Sequence, residues 1–429
     1  MDLLSANDRA GEYPASYYAA TASPMEPFPA ATGALDCDVC VVGGGYSGLS
    51  AALHLRQAGY DVVLLDAQRV GFGASGRNGG QVGTGQRIGQ DTLEGIVGHD
   101  QAHSLWDLSL ESVALVRDLI AKNRIDCGWR DGIIEAEHRA KTVVEAHEYA
   151  DKLQSKYDYD LIRSVNKDEM RSLVGTRAYY GGTLDMGGGH LHPLRYALGL
   201  ARACHDAGVQ LFEQSKVTKV TNDAKVTTQG ADISAKYVIL GCNGYLGALN
   251  DHVAKRVMPI NNFIAATEPL DDPRTLIRDN HAVADSKFVI NYFRLSDDNR
   301  MLFGGGESYG YTFPRDVAAT VRKPMLEIFP QLKDARIDYA WGGTLGITMN
   351  RMPHFARMSD QVLSISGYSG HGVAMATLAG KLAADAVAGQ AEKFDIFNSV
   401  PIHRFPGGPR LRTPLLVLAM LWYSMRDRF

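Results

Sequence analysis

The stretch Cys37-Asp-Val-Cys-Val-Val-Gly-Gly-Gly-Tyr-Ser-Gly48 carries an apolar block into three consecutive glycines. The mixed segment Leu49–Gly59 follows, and a second apolar block in Tyr60–Asp66 ends on an acid. This order predicts strand, glycine turn, helix, strand and carboxylate, the unit that grips the ADP half of a dinucleotide. Gly43 permits the tight turn, Gly45 lets backbone approach a pyrophosphate, and Gly48 lets the helix pack on the strand. The first N–H groups of the helix, from Tyr46 and Ser47 onward, then face phosphate charge. Asp66, 18 residues past Gly48, is placed to accept hydrogen bonds from a ribose hydroxyl pair, with Ala67 beside it. An acid there repels a 2′-phosphate and disfavours NADP.

The next pattern break is Val70–Gln81, with five glycines in twelve residues. A segment so rich in glycine is no regular element, and it predicts backbone threading closely around something bulky. Its contact candidates are Ser75, Gly76, Arg77, Asn78, Gly79 and Gly80. A helical pattern then covers about Asp100–Ile125, a strand 128–136 and a helix 138–157. Pro193–Gly208 reads as a helix, leading into strands at 210–213 and 215–220, where Val217 is a further dinucleotide contact. The apolar strand Tyr237–Leu240 stops at a small-residue turn containing Asn243 and Gly244, as when a buried parallel strand delivers backbone to a ligand. Residues 256–345 show strand patterns at Asn261–Thr267, Lys287–Leu295, Arg300–Gly304 and Ile337–Trp341 and no helical period, which predicts an antiparallel layer on the substrate side. Finally Gln361–Lys381 repeats strand, glycine turn and helix, with Gly370, His371, Gly372 and Val373 at the turn.

The fold class expected is α/β, a Rossmann-like FAD-binding domain interleaved with a mainly antiparallel-sheet substrate domain. The boundaries expected are an arm at 1–35, a discontinuous FAD-binding domain at 36–115, 185–255 and 345–400, a substrate domain at 116–184 and 256–344, and a C-terminal segment at 401–429. FAD is preferred to NAD because three glycine turns wrap a resident ligand along its length. A helix starting after Gly372 also aims positive partial charge at the N1/C2 edge of a flavin, where reduction places negative charge.

Composition narrows the partners. A net charge of −4 over 429 residues, with no basic run, argues against nucleic acid. The start shows no charged segment followed by an apolar one, so the cytoplasm is the default location. Five scattered cysteines form no disulfide framework. Cys37 and Cys40 lie on opposite faces of an extended strand, roughly 10 Å apart and beyond disulfide reach. No metal is expected, since His190 and His192 beside a proline are too few for a zinc site. The apolar run 415–423, bracketed by arginines, is too short to cross a bilayer; it reads as a docked terminal helix or a peripheral membrane contact.

The first glycine motif, Gly71-Phe-Gly-Ala-Ser-Gly-Arg-Asn-Gly-Gly80, Gly188-Gly-His-Leu-His-Pro193, Gly367-Tyr-Ser-Gly-His-Gly372 and Phe405-Pro-Gly-Gly408 together resemble the D-amino-acid-oxidase-type FAD superfamily. Within it the chain is most similar to enzymes acting on γ-glutamylputrescine, from the Ser16-Tyr-Tyr arm to Arg428. The resemblance implies oxidation of an amine C–N bond: hydride passes to flavin N5, and the imine is hydrolysed to aldehyde and ammonia. The implied substrate is γ-glutamylputrescine or a similar ω-amine of polyamine catabolism. Alternatives are a cyclic or N-methyl amino acid (pipecolate, proline or sarcosine) or a non-catalytic FAD-binding subunit that relays electrons or assembles a complex. Some relatives hold flavin through a cysteine after the strand ending at Trp341; here Gly342-Gly343 stands there, so FAD is expected to be noncovalent. Relatives with an oxygen-activating lysine carry it on the strand that reads Arg300-Met-Leu-Phe303 here, so oxygen and a quinone or carrier both stand as electron acceptors. No catalytic acid or base is assigned. Candidate substrate contacts are Tyr292 and Trp341 as aromatic walls, Arg294 or Arg351 as a fork for a carboxylate, and His371 and His190.

Overall fold

The computed structural model describes residues 2–308 and 310–407; the apolar run 415–423 lies outside them. Among the described residues two sheets form. The first is built on Gly33–Val42, flanked by parallel Val62–Leu65 and Ala231–Leu240. Gln210–Phe212 and Val362–Ser366 extend it in parallel, and His354–Arg357 closes one edge antiparallel. Its strands are apolar on both faces because both are covered. Val39, Val41, Val62 and Leu64 pack beneath helices Tyr46–Gln57, Pro193–Asp206 and Gly372–Val387. Cys40, Val42, Val63 and Leu65 pack against a smaller cluster that includes Ala224 and Val226 of the Val217–Val220/Lys225–Thr228 hairpin.

The second sheet runs Ile337–Ile347, Met258–Thr267, Met301–Ser308, Tyr292–Leu295, Ala282–Asp285, Arg130–Ala136, Gly182–His190 and Gln81–Val82. Every neighbouring pair on this path is antiparallel except Ala282–Asp285 with Arg130–Ala136. Strand alternation gives this sheet two unlike faces. Ile134, Ala136, Val283, Phe293, Phe303 and Phe263 share one buried cluster. The intervening Glu135, Ala284, Tyr292 and Asn262 line a cavity between the two sheets.

Three elements depart from the sequence-based expectations. Residues 256–345 do contain a helix, Val317–Ile328, with Pro324 inside it. The Asp316 side chain accepts from the Ala319 N–H at 2.8 Å and starts it, while Val321, Met325 and Ile328 bury one face and offset the proline. Gly182–His190, nine residues with four glycines, is a strand at the heart of the second sheet. The expected strand 287–295 is confined to Tyr292–Leu295. All five cysteines are free, with Cys40 buried in the strand beside the nucleotide turn.

Helix Gly372–Val387 lies on helix Tyr46–Gln57 through Gly380, where an added Cβ meets the Ser47 carbonyl oxygen at 2.2 Å and the Ala51 nitrogen at 2.7 Å. Gly380→Ala is therefore expected to lower stability by about 1–3 kcal/mol, although alanine is favoured over glycine inside a helix by roughly 1 kcal/mol. The urea midpoint at unchanged slope reads this, and a raised midpoint rejects such close packing.

Candidate active site

The cavity, about 1140 Å³, begins where the parallel strands end. Gly43 takes φ +109°, and a Cβ on it meets the Gly241 carbonyl oxygen at 2.9 Å. A Cβ at Gly48 falls 1.8 Å from the Gly43 oxygen, so only glycine lets the helix start this close to the strand. No side chain caps that helix at Gly45; the Tyr46 N–H donates to Ser75 Oγ at 3.0 Å. Helix Gly372–Val387 opens on the same cavity and also lacks a side-chain cap. The cavity thus receives two uncapped helix N-termini, whose N–H groups and dipoles favour negative charge.

Asp66 is held by two backbone donors. The Gly44 N–H donates to Oδ2 at 2.6 Å and the Gln68 N–H to Oδ1 at 2.7 Å. Burial pushes its pKa up, and these two backbone donors pull it down. The Val70–Gln81 segment is fixed by its own polar groups. Asn78 donates to the Ala74 oxygen at 2.9 Å and accepts from the Gly80 N–H at 2.8 Å. At the third turn the Gly367 N–H donates to Asn243 Oδ1 at 3.0 Å, and Tyr368 hydroxyl meets Ser47 Oγ at 2.6 Å. Gly43, Gly45, Tyr46, Ser47, Asp66, Ala67, Ser75, Arg77, Asn78, Gly79, Val217, Asn243, Gly370, His371, Gly372 and Val373 all line the cavity. Gly48, Gly76, Gly80 and Gly244 lie behind it, where small size permits close packing: a Cβ at Gly76 meets the Gly71 oxygen at 2.2 Å and one at Gly244 meets the Leu345 oxygen at 2.9 Å. These loops and their length suit FAD, and the cradle is one that side chains would fill.

The substrate candidates divide. Tyr292, Arg351 and His371 line the cavity. Tyr292 covers Gly304 and donates its hydroxyl to Asn262. Arg294, Trp341 and His190 are elsewhere. Arg294 is 5% exposed and donates to the carbonyls of Gly79 at 2.7 Å and Leu191 at 3.0 Å, so it anchors the glycine loop from behind. Trp341 donates to the Arg77 oxygen at 3.1 Å and sits edge-on to Tyr18. His190 Nε2 lies 2.7 Å from the Asn280 oxygen.

His371 is held uncharged: burial and then the nearby Arg87 guanidinium bring it down to about 4, while the Gly85 and Gly83 backbone pull it up. Its Nε2 is buried without a partner. Other lining residues escaped the sequence reading, among them Arg87, Glu135, Glu137, Asp285 and Lys287. The only sequence signal for Glu135 is a charge at an alternate position between the apolar Ile134 and Ala136. The arm contributes as well, since Asp2 and Leu4 line the cavity and Asp8 pairs with the buried Arg77 at 2.9 Å. Among the described residues no cluster of side chains suits a metal ion.

Two outcomes follow from these contacts. Asp8→Ala leaves Arg77 buried with its carboxylate removed, so stability is expected to fall by about 3–5 kcal/mol; thermal melting read through the rise of free-flavin fluorescence checks it, and an unchanged melt rejects the pairing. His190 and His354 are each brought down to about 3 by burial, and His371 to about 4. All three bind protons in the unfolded chain near pH 6.5 and in the folded one only below about 4. Stability is thus fully present above pH 6.5 and lost as pH falls toward 3. His190→Gln should flatten that decline in melting temperature against pH, and an equally steep decline counts against buried neutral imidazole.

The sequence pattern of the FAD dependent oxidoreductase (DAO) family matches residues 38–386. The chain is 41% identical over 422 residues to gamma-glutamylputrescine oxidoreductase of Escherichia coli strain K12, covering 97% of this chain and 99% of that protein. It is 40% identical to probable oxidoreductase OrdL of Rhizobium meliloti strain 1021, over 96% of this chain and 97% of that one. Glycine oxidase from Geobacillus kaustophilus superposes with a TM-score of 0.72 at 21% identity, over 86% of this chain and 99% of its own. L-proline dehydrogenase from P. horikoshii gives 0.69 at 19%, over 86% and 96%. With the uncapped helices, Asp66 and the glycine loops in place, the chain belongs to the DAO family of FAD-dependent oxidoreductases.

Proposed function

We propose that the enzyme oxidises the terminal C–N bond of γ-glutamylputrescine or a closely similar ω-amine. The observation that carries this reading is the 41% identity, spread over 97% of the chain, to a protein named for that substrate. The cavity geometry supports it. FAD bound here supplies the two-electron acceptor for the C–N oxidation.

The chain's own residues bind, orient and exclude water. The uncapped helix at Gly45–Tyr46 and the carboxylate of Asp66 hold the ADP half, and the 367–372 turn presents backbone to the ring. Tyr292, fixed by Asn262, walls the space beside that turn. An amine donates hydride only when deprotonated, and the neutral imidazole of His371 places no charge beside it. Loss of a hydride from the carbon that bears the nitrogen, and of a proton from the nitrogen, leaves an imine, and water converts it to aldehyde and ammonia.

FAD is read as noncovalent, supported by Gly342–Gly343 and the absence of cysteine beyond Cys242; acid precipitation should leave the yellow colour in the supernatant. The electron acceptor is oxygen or a quinone-type carrier. No helix of the described residues is long and apolar enough to cross a membrane. Cytoplasmic residence and peripheral contact through 415–423 are separated by fractionation of cells with and without that segment.

Anaerobic mixing with γ-glutamylputrescine should bleach the visible flavin band, and pipecolate, proline and sarcosine should not. Peroxide on admitting oxygen marks an oxidase. Bleaching by the cyclic or N-methyl amino acids alone replaces this reading, and bleaching by no amine removes it.

A further inference from the structure

Charged side chains also line the cavity, among them Arg87 and Glu135. The cavity-facing side of the second sheet carries Glu135 between Thr183 and Ala284 on the neighbouring strands. These small neighbours leave the carboxylate standing into the cavity, enclosed by protein yet reachable through it. Burial raises the Glu135 pKa, the Arg87 guanidinium lowers it most among nearby charges, and Asp185 and Glu137 push it up again. Arg87 lines the same cavity, and its charge acts on His371 as well as on Glu135.

Two opposite charges line the cavity where a ligand can reach them. A carboxylate beside the reacting amine would hold its proton and raise its pKa, which opposes hydride loss. Glu135 is therefore misplaced for the reacting end and suited to a group that stays cationic. Arg87 beside it suits an anion, since a guanidinium pairs with a carboxylate in two parallel hydrogen bonds. An ammonium and a carboxylate on one carbon are the charge pair of an α-amino acid.

Building on the ω-amine reading above, we propose that Glu135 and Arg87 seat the zwitterionic α-amino-acid head of an extended substrate, whose far amine reaches the 367–372 turn. The head sets specificity. Free diamines lack the carboxylate and N-acetylated diamines lack both charges, so each forfeits charge-assisted hydrogen bonds.

The test uses the FAD-loaded enzyme and γ-glutamylethylamide, which carries the head and has no ω-amine. Calorimetry should show it binding and competing with γ-glutamylputrescine, without bleaching the flavin. Glu135→Gln and Arg87→Ala should each weaken it roughly 10–100-fold, the size of one or two lost charge-assisted hydrogen bonds. Arg87→Lys should recover part of the loss. In turnover of γ-glutamylputrescine the loss should fall on KM more than on kcat, and the flavin spectrum should report intact loading. No binding by the wild type, or unchanged affinity in both variants, overturns the seat even when γ-glutamylputrescine bleaches the flavin. Binding weakened in the variants, with no ω-amine bleaching the flavin, sustains the seat and overturns the ω-amine reading instead. Bleaching by γ-glutamylethylamide itself puts the head at the ring and overturns both.

Discussion

The architecture depends on one close approach: the first turn of helix Tyr46–Gln57 against the end of strand Gly33–Val42. A Cβ at position 48 lies 1.8 Å from the Gly43 oxygen, a distance no side chain tolerates. Glycine there brings the helix N-terminus to the mouth of the sheet, where its free N–H groups would act on a phosphate at short range. The second helix inherits the same constraint, because Gly372–Val387 reaches the cavity only by lying on the first helix through Gly380. Two helix ends and the carboxylate of Asp66 then converge on one cavity.

Around that point the two sheets divide the labour by their burial. The parallel sheet is apolar on both faces and serves as a rigid platform whose strand ends carry the turns. The other sheet is apolar on one face, and residues of its other face reach the cavity. Tyr292 against Phe293 and Glu135 against Ile134 are instances of the same alternation. Arg294 stands on the same face as Tyr292 but is covered by the glycine loop. It is buried, and it spends its donors on the carbonyls of Gly79 and Leu191 and on the Tyr18 hydroxyl at 3.2 Å. It fixes the glycine loop as a cross-brace.

What was legible in the sequence is what local chemistry decides. A glycine turn after an apolar block requires no knowledge of distant residues, and the three turns stand where the pattern put them. The strand Gly182–His190 was illegible because its pairing with Arg130–Ala136, not its own four glycines, makes it a strand; β-propensity follows neighbours. Helix Val317–Ile328 was hidden by Pro324, whose cost is offset by burial that only the folded chain reveals. Among the site candidates, Tyr292, Arg351 and His371 reach the cavity, whereas Trp341 and His190 hydrogen-bond inside the wall. Arg87 and Glu135 went unseen because a single charge in an ordinary segment carries no signal until the fold places it, Glu135 through the register of three strands and Arg87 through the loop after Gln81–Val82.

The cavity lining mixes neutral and charged groups. Asp66 and the two helix N-termini reach it, as do glycine backbone, Tyr292, Asn262 and an imidazole that burial and Arg87 keep unprotonated. Arg87, Glu135 and Lys287 line it too. An amine taken from water into an uncharged surrounding loses the water and counter-charge that stabilise its ammonium form, so its proton affinity falls. A fixed carboxylate beside it would reverse that effect. Arg87 does both tasks at once, lowering the pKa of His371 on one side and drawing Glu135 toward its ionised form on the other.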